Sequence, residues 1–408
     1  MSPKNRGTAI SKQSISPQKD EEWINAECNF WTGVRRRSTD PVDRNVPWYE
    51  NLDLEGSLPD GCYTNLGIPS FAPKPTCRIS LDLTGAQVND ETMTFLHLCI
   101  DNGFTTFQGG ETMLYRVLHE QTPRTVMNQV NLVTTIRTPE SLLISPRDAI
   151  LAPLREIRSE CIDTLQIQYN PKSPYFMEFL DMATELQREG LIRSIVGHQL
   201  PISVMRQAHE FGFQLDSNQI PMNILDPCQV YNTEFCSASK DTGTKIVVDS
   251  PLAGGLLSSR FLRIGEPYMY ELTRSERLNL PTLQAWSKRC TPKHSDLWRT
   301  YQTNLIEILQ DFALKYRVSI EAVALRWCLQ QDLVSGLVIP LDLSCKETEF
   351  HQVRMQKLRK VFSFNLKEEE MDQIWDVSGC VKPGTEQPLT SEEWDDSMMY
   401  RKNGLYFL

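Results

Sequence analysis

Eight short segments rich in apolar and β-branched residues recur along this chain at near-constant spacing, and that spacing limits the folds open to it. They are CRISLDL (77–83), FTTF (104–107), NLVTT (131–135), IDTLQI (162–167), IRSIVG (192–197), LDSNQI (215–220), KIVVD (245–249) and SGLVIP (335–340). The first seven begin 23 to 31 residues apart, the length of one strand–helix unit. Helix patterns fill the gaps. In SPRDAILAPLREIRSE (145–160), Ser145 stands as an N-cap ahead of a proline, and Ile150, Leu154 and Ile157 share one face. PYFMEFLDMATELQREG (174–190) repeats the pattern and stops at Gly190, a helix C-terminal signal.

Strands and helices alternating in this number predict an α/β fold, a TIM (β/α)8 barrel over residues 76–380. The rival is a doubly wound open sheet. It wants a Gly-rich phosphate turn after its first strand, and LDLTGAQ holds one glycine. Residues 1–75, rich in Pro, Gly, Asn and charge, read as a partly disordered N-terminal extension, and 381–408 as a C-terminal tail. The unit between the last two strands is far too long. It carries a polar, proline-punctuated insertion (258–300), followed by helix patterns up to about Gln331. An insertion after a barrel strand falls on the C-terminal face, as a lid over the mouth or an arm packed on the barrel.

Composition removes several function classes. The net charge of −10 argues against nucleic-acid binding, and RRR at 35–37 reads as a solvated cluster. No apolar run approaches ~20 residues, so no segment reads as a membrane span. The first residues lack the apolar region of a secretory signal, and an organelle transit peptide stays open. Eleven scattered cysteines without a CxxC fit free thiols, and hence the cytoplasm or another reducing compartment. None of the six histidines pairs with a second ligand at metal spacing, so no metal is expected. The acidic stretch SEEWDDSMMY (391–400), with its apolar residues, suits docking on a protein partner or strapping the barrel.

Five segments carry a resemblance: ELQREGLIRSIVG (185–197), DSNQIPMNILDP (216–227), DSPLAGGLLSSRFL (249–262), ALKYRVSIEAVALRWCLQQ (313–331) and VFSFNLKEEEMDQI (361–374). In this order they resemble the aldo-keto reductase superfamily. The resemblance implies a barrel with NADPH laid across its C-terminal mouth, reducing aldehydes and ketones. It also implies a tyrosine proton donor tuned by a lysine, an aspartate paired to that lysine, and a histidine that orients the carbonyl. Each of the four positions is substituted here. Gln108 stands for the aspartate, Met113 for the tyrosine, Thr135 for the lysine and Gln168 for the histidine. None keeps an ionisable side chain.

Three groups could substitute: Tyr115 two residues past Met113, Glu111 in the same loop, and His198 after the fifth strand. A tyrosine without a neighbouring cation keeps a pKa of ~10 and is a poor donor near neutrality. Helix packing is the simpler role for Tyr115, solvation for Glu111, and a structural hydrogen bond for His198. By the same resemblance, cofactor contacts fall on Asn218, Gln219 and the loop Ser250, Pro251, Leu252, Ala253 and Gly254. That site is weakened. Asp249 stands where many members place a stacking aromatic, Leu343 falls near the phosphate-gripping arginine, and Lys346 offers a point charge instead. The expectation is therefore a degenerate barrel that binds a nucleotide, a small molecule or a protein partner. The alternatives are an active NADPH-dependent oxidoreductase using a displaced Tyr115 or His198, and an enzyme of another type using His198, Glu111 and Asp249.

Overall fold

The computed structural model describes residues 62–65, 75–227, 231–262, 266–290, 296–341 and 348–384. A short antiparallel hairpin comes first, β1 (Tyr63–Asn65) on β2 (Pro75–Cys77). Eight parallel strands then close into a barrel: β3 (Ile79–Asp82), β4 (Thr106–Gln108), β5 (Asn131–Arg137), β6 (Ile162–Gln168), β7 (Ile192–His198), β8 (Ser217–Pro221), β9 (Lys245–Asp249) and β10 (Val334–Pro340). Strand β10 pairs with both β9 and β3 to complete the ring. Every expected segment overlaps an observed strand, and the TIM barrel is the fold.

Period-two alternation explains how these strands work. In β6, Leu165 and Ile167 face the helices and are fully buried, while Thr164 and Gln166 face the lumen. The apolar core therefore lies between the sheet and the outer helices. The lumen is different, because branched apolar side chains usually fill it. Here Ser80, Thr106, Asn131, Thr164, Gln166, Ser217 and Gln219 line a cavity of about 50 Å³ along the axis. Thr164 donates to Asn131 Oδ1 at 2.9 Å, so part of that polar lining satisfies itself.

The hairpin falls at the end of the stretch that reads as an N-terminal extension. Short strands with no alternating apolar face give little signal. What fixes this end is Arg78, immediately after β2. Its guanidinium donates to the carbonyls of Ser335 (3.1 Å), Leu329 (2.8 Å) and Val334 (3.0 Å), pinning the strand-start end of the barrel.

The insertion departs from its proline-punctuated appearance. Residues Arg274–Cys290 form one helix with Pro281 inside it. An internal proline costs roughly 3 kcal/mol. Burying a tryptophan, about 150–250 Å² at ~25 cal/mol per Å², contributes roughly 4–6 kcal/mol before entropy is counted. Trp286 is fully buried, its indole donating to Val377 O at 2.9 Å, and Leu283 is buried beside it. Packing wins over propensity. This helix packs on the helix Glu368–Ser378 and on the loop that follows β9. Arg260 locks it further, donating to both carboxylate oxygens of the fully buried Glu276 at 2.8 and 2.9 Å.

Among the described residues seven cysteines are free thiols, but Cys380 is disulfide-bonded, which corrects the expectation of free thiols throughout. No helix among the described residues is long and apolar enough to cross a membrane.

Candidate functional site

The strands end at a mouth whose floor is one hydrogen-bonded chain. Thr135 Oγ1 on β5 donates to Gln166 Oε1 on β6 at 2.8 Å, and Gln166 Nε2 donates to Gln219 Oε1 on β8 at 2.6 Å. Gln219 in turn donates to the Asp249 carboxylate at the end of β9. Unpairing a buried amide costs roughly 1–3 kcal/mol, so these side chains hold one another in place. Burial and the nearby charge of Asp82 push the Asp249 carboxyl up to about 6, although Gln219 and Ser250 both donate to it. Asp82, at the end of β3, accepts from Thr84 N (2.9 Å) and Thr84 Oγ1 (2.7 Å).

His198 closes β7, in register with Gln168 on one side and Gln219 on the other. Both ring nitrogens are buried without a hydrogen-bond partner, and burial lowers the imidazole pKa to about 4. At neutral pH it is uncharged and offers one donor and one acceptor.

The loop after β4 accounts for its own composition. Gly109 adopts φ +69, and a Cβ there would lie 2.1 Å from Asp82 Oδ1 and 2.5 Å from Thr84 Oγ1. A Cβ on Gly110 would lie 2.5 Å from Tyr115 Cε1. Both glycines are thus required by close packing. Gln108 is buried below them and lines the lumen cavity. Glu111 is exposed at the start of the helix Thr112–Gln121 and makes no capping bond, and Met113 is 51% exposed in that helix's first turn.

Tyr115 lies behind the sheet, on the helix side. Its hydroxyl lies 3.3 Å from both Phe107 O and Val133 O and accepts from Gly110 N at 3.2 Å. Burial pushes the phenol well above its ordinary pKa. It faces backbone, not the mouth.

The expected cofactor contacts fit NADPH poorly. Asn218 is turned away from the lumen, accepting from Leu200 N (3.1 Å) and donating to Leu200 O (3.0 Å). This corrects its placement among the cofactor residues, and the reason is parity: adjacent strand residues point to opposite faces. Gln219 does face the lumen, but both ends of its amide are taken by Gln166 and Asp249. In the loop after β9, Ser250, Ala253 and Gly254 have positive φ, Pro251 and Leu252 are buried, and the amides of Ala253, Gly255, Leu256 and Leu257 donate within the loop. A diphosphate would need such amides free. Gly254 is backed by Ser275 and Asn279 of the insertion helix. Leu343 and Lys346 lie outside the described residues. No group of three or more His, Cys, Asp or Glu able to hold a metal occurs among the described residues.

A model of the aldo/keto reductase family matches residues 145–378, more than half of the chain. The chain belongs to the aldo/keto reductase family. Among solved structures, a glycerol dehydrogenase from Gluconobacter oxydans is similar in fold, with a TM-score of 0.57 at 18% identity, covering 80% of this chain and 98% of its own. No curated protein sequence matches the chain. Motif comparison with the aldo/keto reductases passes over three mouth residues. Asp82 sits at the first strand's end, Arg137 two residues beyond Thr135, and Gln166 two before Gln168. Period-two counting from Thr135 and Gln168 places Arg137 and Gln166 on the lumen face, a signal the sequence does carry.

Proposed function

We propose that this family member has given up hydride transfer through the family's acid system and uses its barrel mouth to bind a small polar molecule. One observation carries the reading. The phenol nearest the family's donor position, Tyr115, is engaged by the backbone behind the sheet, while Gln108, Met113, Thr135 and Gln168 bring no proton donor tuned to an alkoxide. Removing one general-acid element typically costs ~10²–10⁴ in rate, and here the donor, its cation and the orienting imidazole are all replaced. His198, neutral with a pKa of about 4, can donate a hydrogen bond but brings no acidic proton. The NADPH contacts are redirected in the same sense. What remains is a rigid, amide-lined floor with charged groups at its edge, suited to hydrogen bonding a compact polar ligand.

The test is a fluorescence titration of the full chain with NADPH, followed by a panel of aldehydes and ketones. The expected outcome is weak or absent binding and no turnover. Carbonyl-dependent NADPH oxidation would overturn the reading.

A further inference from the structure

The lumen cavity runs from one end of the barrel to the floor of the mouth. Thr76 and Arg78 line it at the strand-start end, and Gln108, Gln166 and Gln219 line it at the mouth end. Two hydroxyls in its wall are left over. Ser80 on β3 (7% exposed) and Ser217 on β8 (1% exposed) both line the cavity, and neither Oγ has a hydrogen-bond partner. Other polar groups of the wall are matched: Thr164 donates to Asn131, Gln166 to Gln219, and Thr106 to the Cys77 carbonyl at 3.3 Å. Strands β9 and β10 separate β8 from β3 in the ring, so the two serines enter the lumen from separate parts of the wall.

A buried hydroxyl without a partner has given up its hydration for nothing. Cavities that stay dry are lined by apolar groups, and this one is not. Nor does its one charged group call for a counter-ion, because Arg78 donates to the carbonyls of Ser335, Leu329 and Val334. We propose that the lumen binds water, as a hydrogen-bonded chain that ties Ser80 to Ser217 across the barrel axis. A water needs about 10–15 Å³ of such space, so a cavity of about 50 Å³ takes roughly three or four. Water also offers donors and acceptors together, and a hydroxyl wants both. The chain couples strands that the sheet's own ladder leaves apart. Gln166 and Gln219 belong to this lining and to the floor of the mouth, so floor and lumen form one polar column. The inference stands whether or not the mouth transfers hydride.

The sign of a stability change tests it. Ser80→Ala and Ser217→Ala each delete one hydroxyl with little change of shape. With water bound, each substitution should lower the thermal midpoint of the full chain by roughly 2–4 °C, because a hydrogen bond is lost. In a dry lumen the same deletion removes an unpaired polar group and raises the midpoint. A crystal structure of the full chain gives the direct readout, with solvent peaks expected within hydrogen-bond distance of both Oγ atoms. A midpoint that holds or rises in either variant, or a lumen without solvent peaks, would overturn the proposal. So would an anomalous peak in the lumen after bromide replaces chloride, which would make the ligand an anion held at Arg78.

Discussion

Replacing Tyr115 by Phe separates a structural phenol from a catalytic one. The ring is kept, so no cavity opens, and only the hydroxyl is lost. That hydroxyl accepts from Gly110 N at 3.2 Å and faces the carbonyls of Phe107 and Val133 at 3.3 Å. A typical hydrogen bond contributes about 0.5–1.5 kcal/mol net, and a buried donor left unpaired costs about 1–3 kcal/mol. Tyr115→Phe should therefore destabilise the barrel by about 1–3 kcal/mol. At roughly 2–4 °C per kcal/mol, the thermal midpoint should fall by several degrees. Scanning fluorimetry reads the shift, and ligand titration reads the mouth. A variant as stable as the parent, or one that loses ligand affinity with its stability intact, would place the hydroxyl in the mouth and refute the reasoning.

Two other substitutions test the same region. Gly109→Ala combines a left-handed backbone at φ +69 with a Cβ 2.1 Å from Asp82 Oδ1, and should cost roughly 2–4 kcal/mol by chemical denaturation. An unchanged midpoint would contradict the close packing of that loop against Asp82 and Thr84. His198→Gln should make the barrel more resistant to acid. The folded-state pKa of about 4 lies below the ordinary value of 6.5, so the histidine's contribution is complete above 6.5 and is lost as pH falls toward 4. At the low end the variant should gain up to roughly 3 kcal/mol over the parent. Acid-unfolding curves that coincide would show that His198 is not buried as a neutral ring.

The strands are legible in the sequence because alternation and length speak for themselves. IDTLQI and KIVVD announce both their faces, and each overlaps its observed strand. The helix Arg274–Cys290 is not legible, since its proline and polar surface outweigh Leu283 and Trp286 until the partner helix Glu368–Ser378 is known to lie beneath them. At the site, the substituted positions can be read from sequence, but the fate of what surrounds them cannot. Nothing local to Gln219 says that Gln166 and Asp249 will take its amide. Nothing local to Tyr115 says that two carbonyls and a glycine amide will surround its hydroxyl. Asn218 is the instructive failure. Motif alone groups it with Gln219, although neighbouring strand residues necessarily face opposite sides.

The central claim is that neither the substituted family positions Gln108, Met113, Thr135 and Gln168 nor the buried Tyr115 delivers a proton to a developing alkoxide. Its most direct measurement is the rate of NADPH oxidation by the full chain with an aldehyde in excess, followed from acid to alkaline pH. The predicted result is a rate indistinguishable from the protein-free reaction at every pH. A pH-dependent rate that disappears in Tyr115→Phe would contradict it.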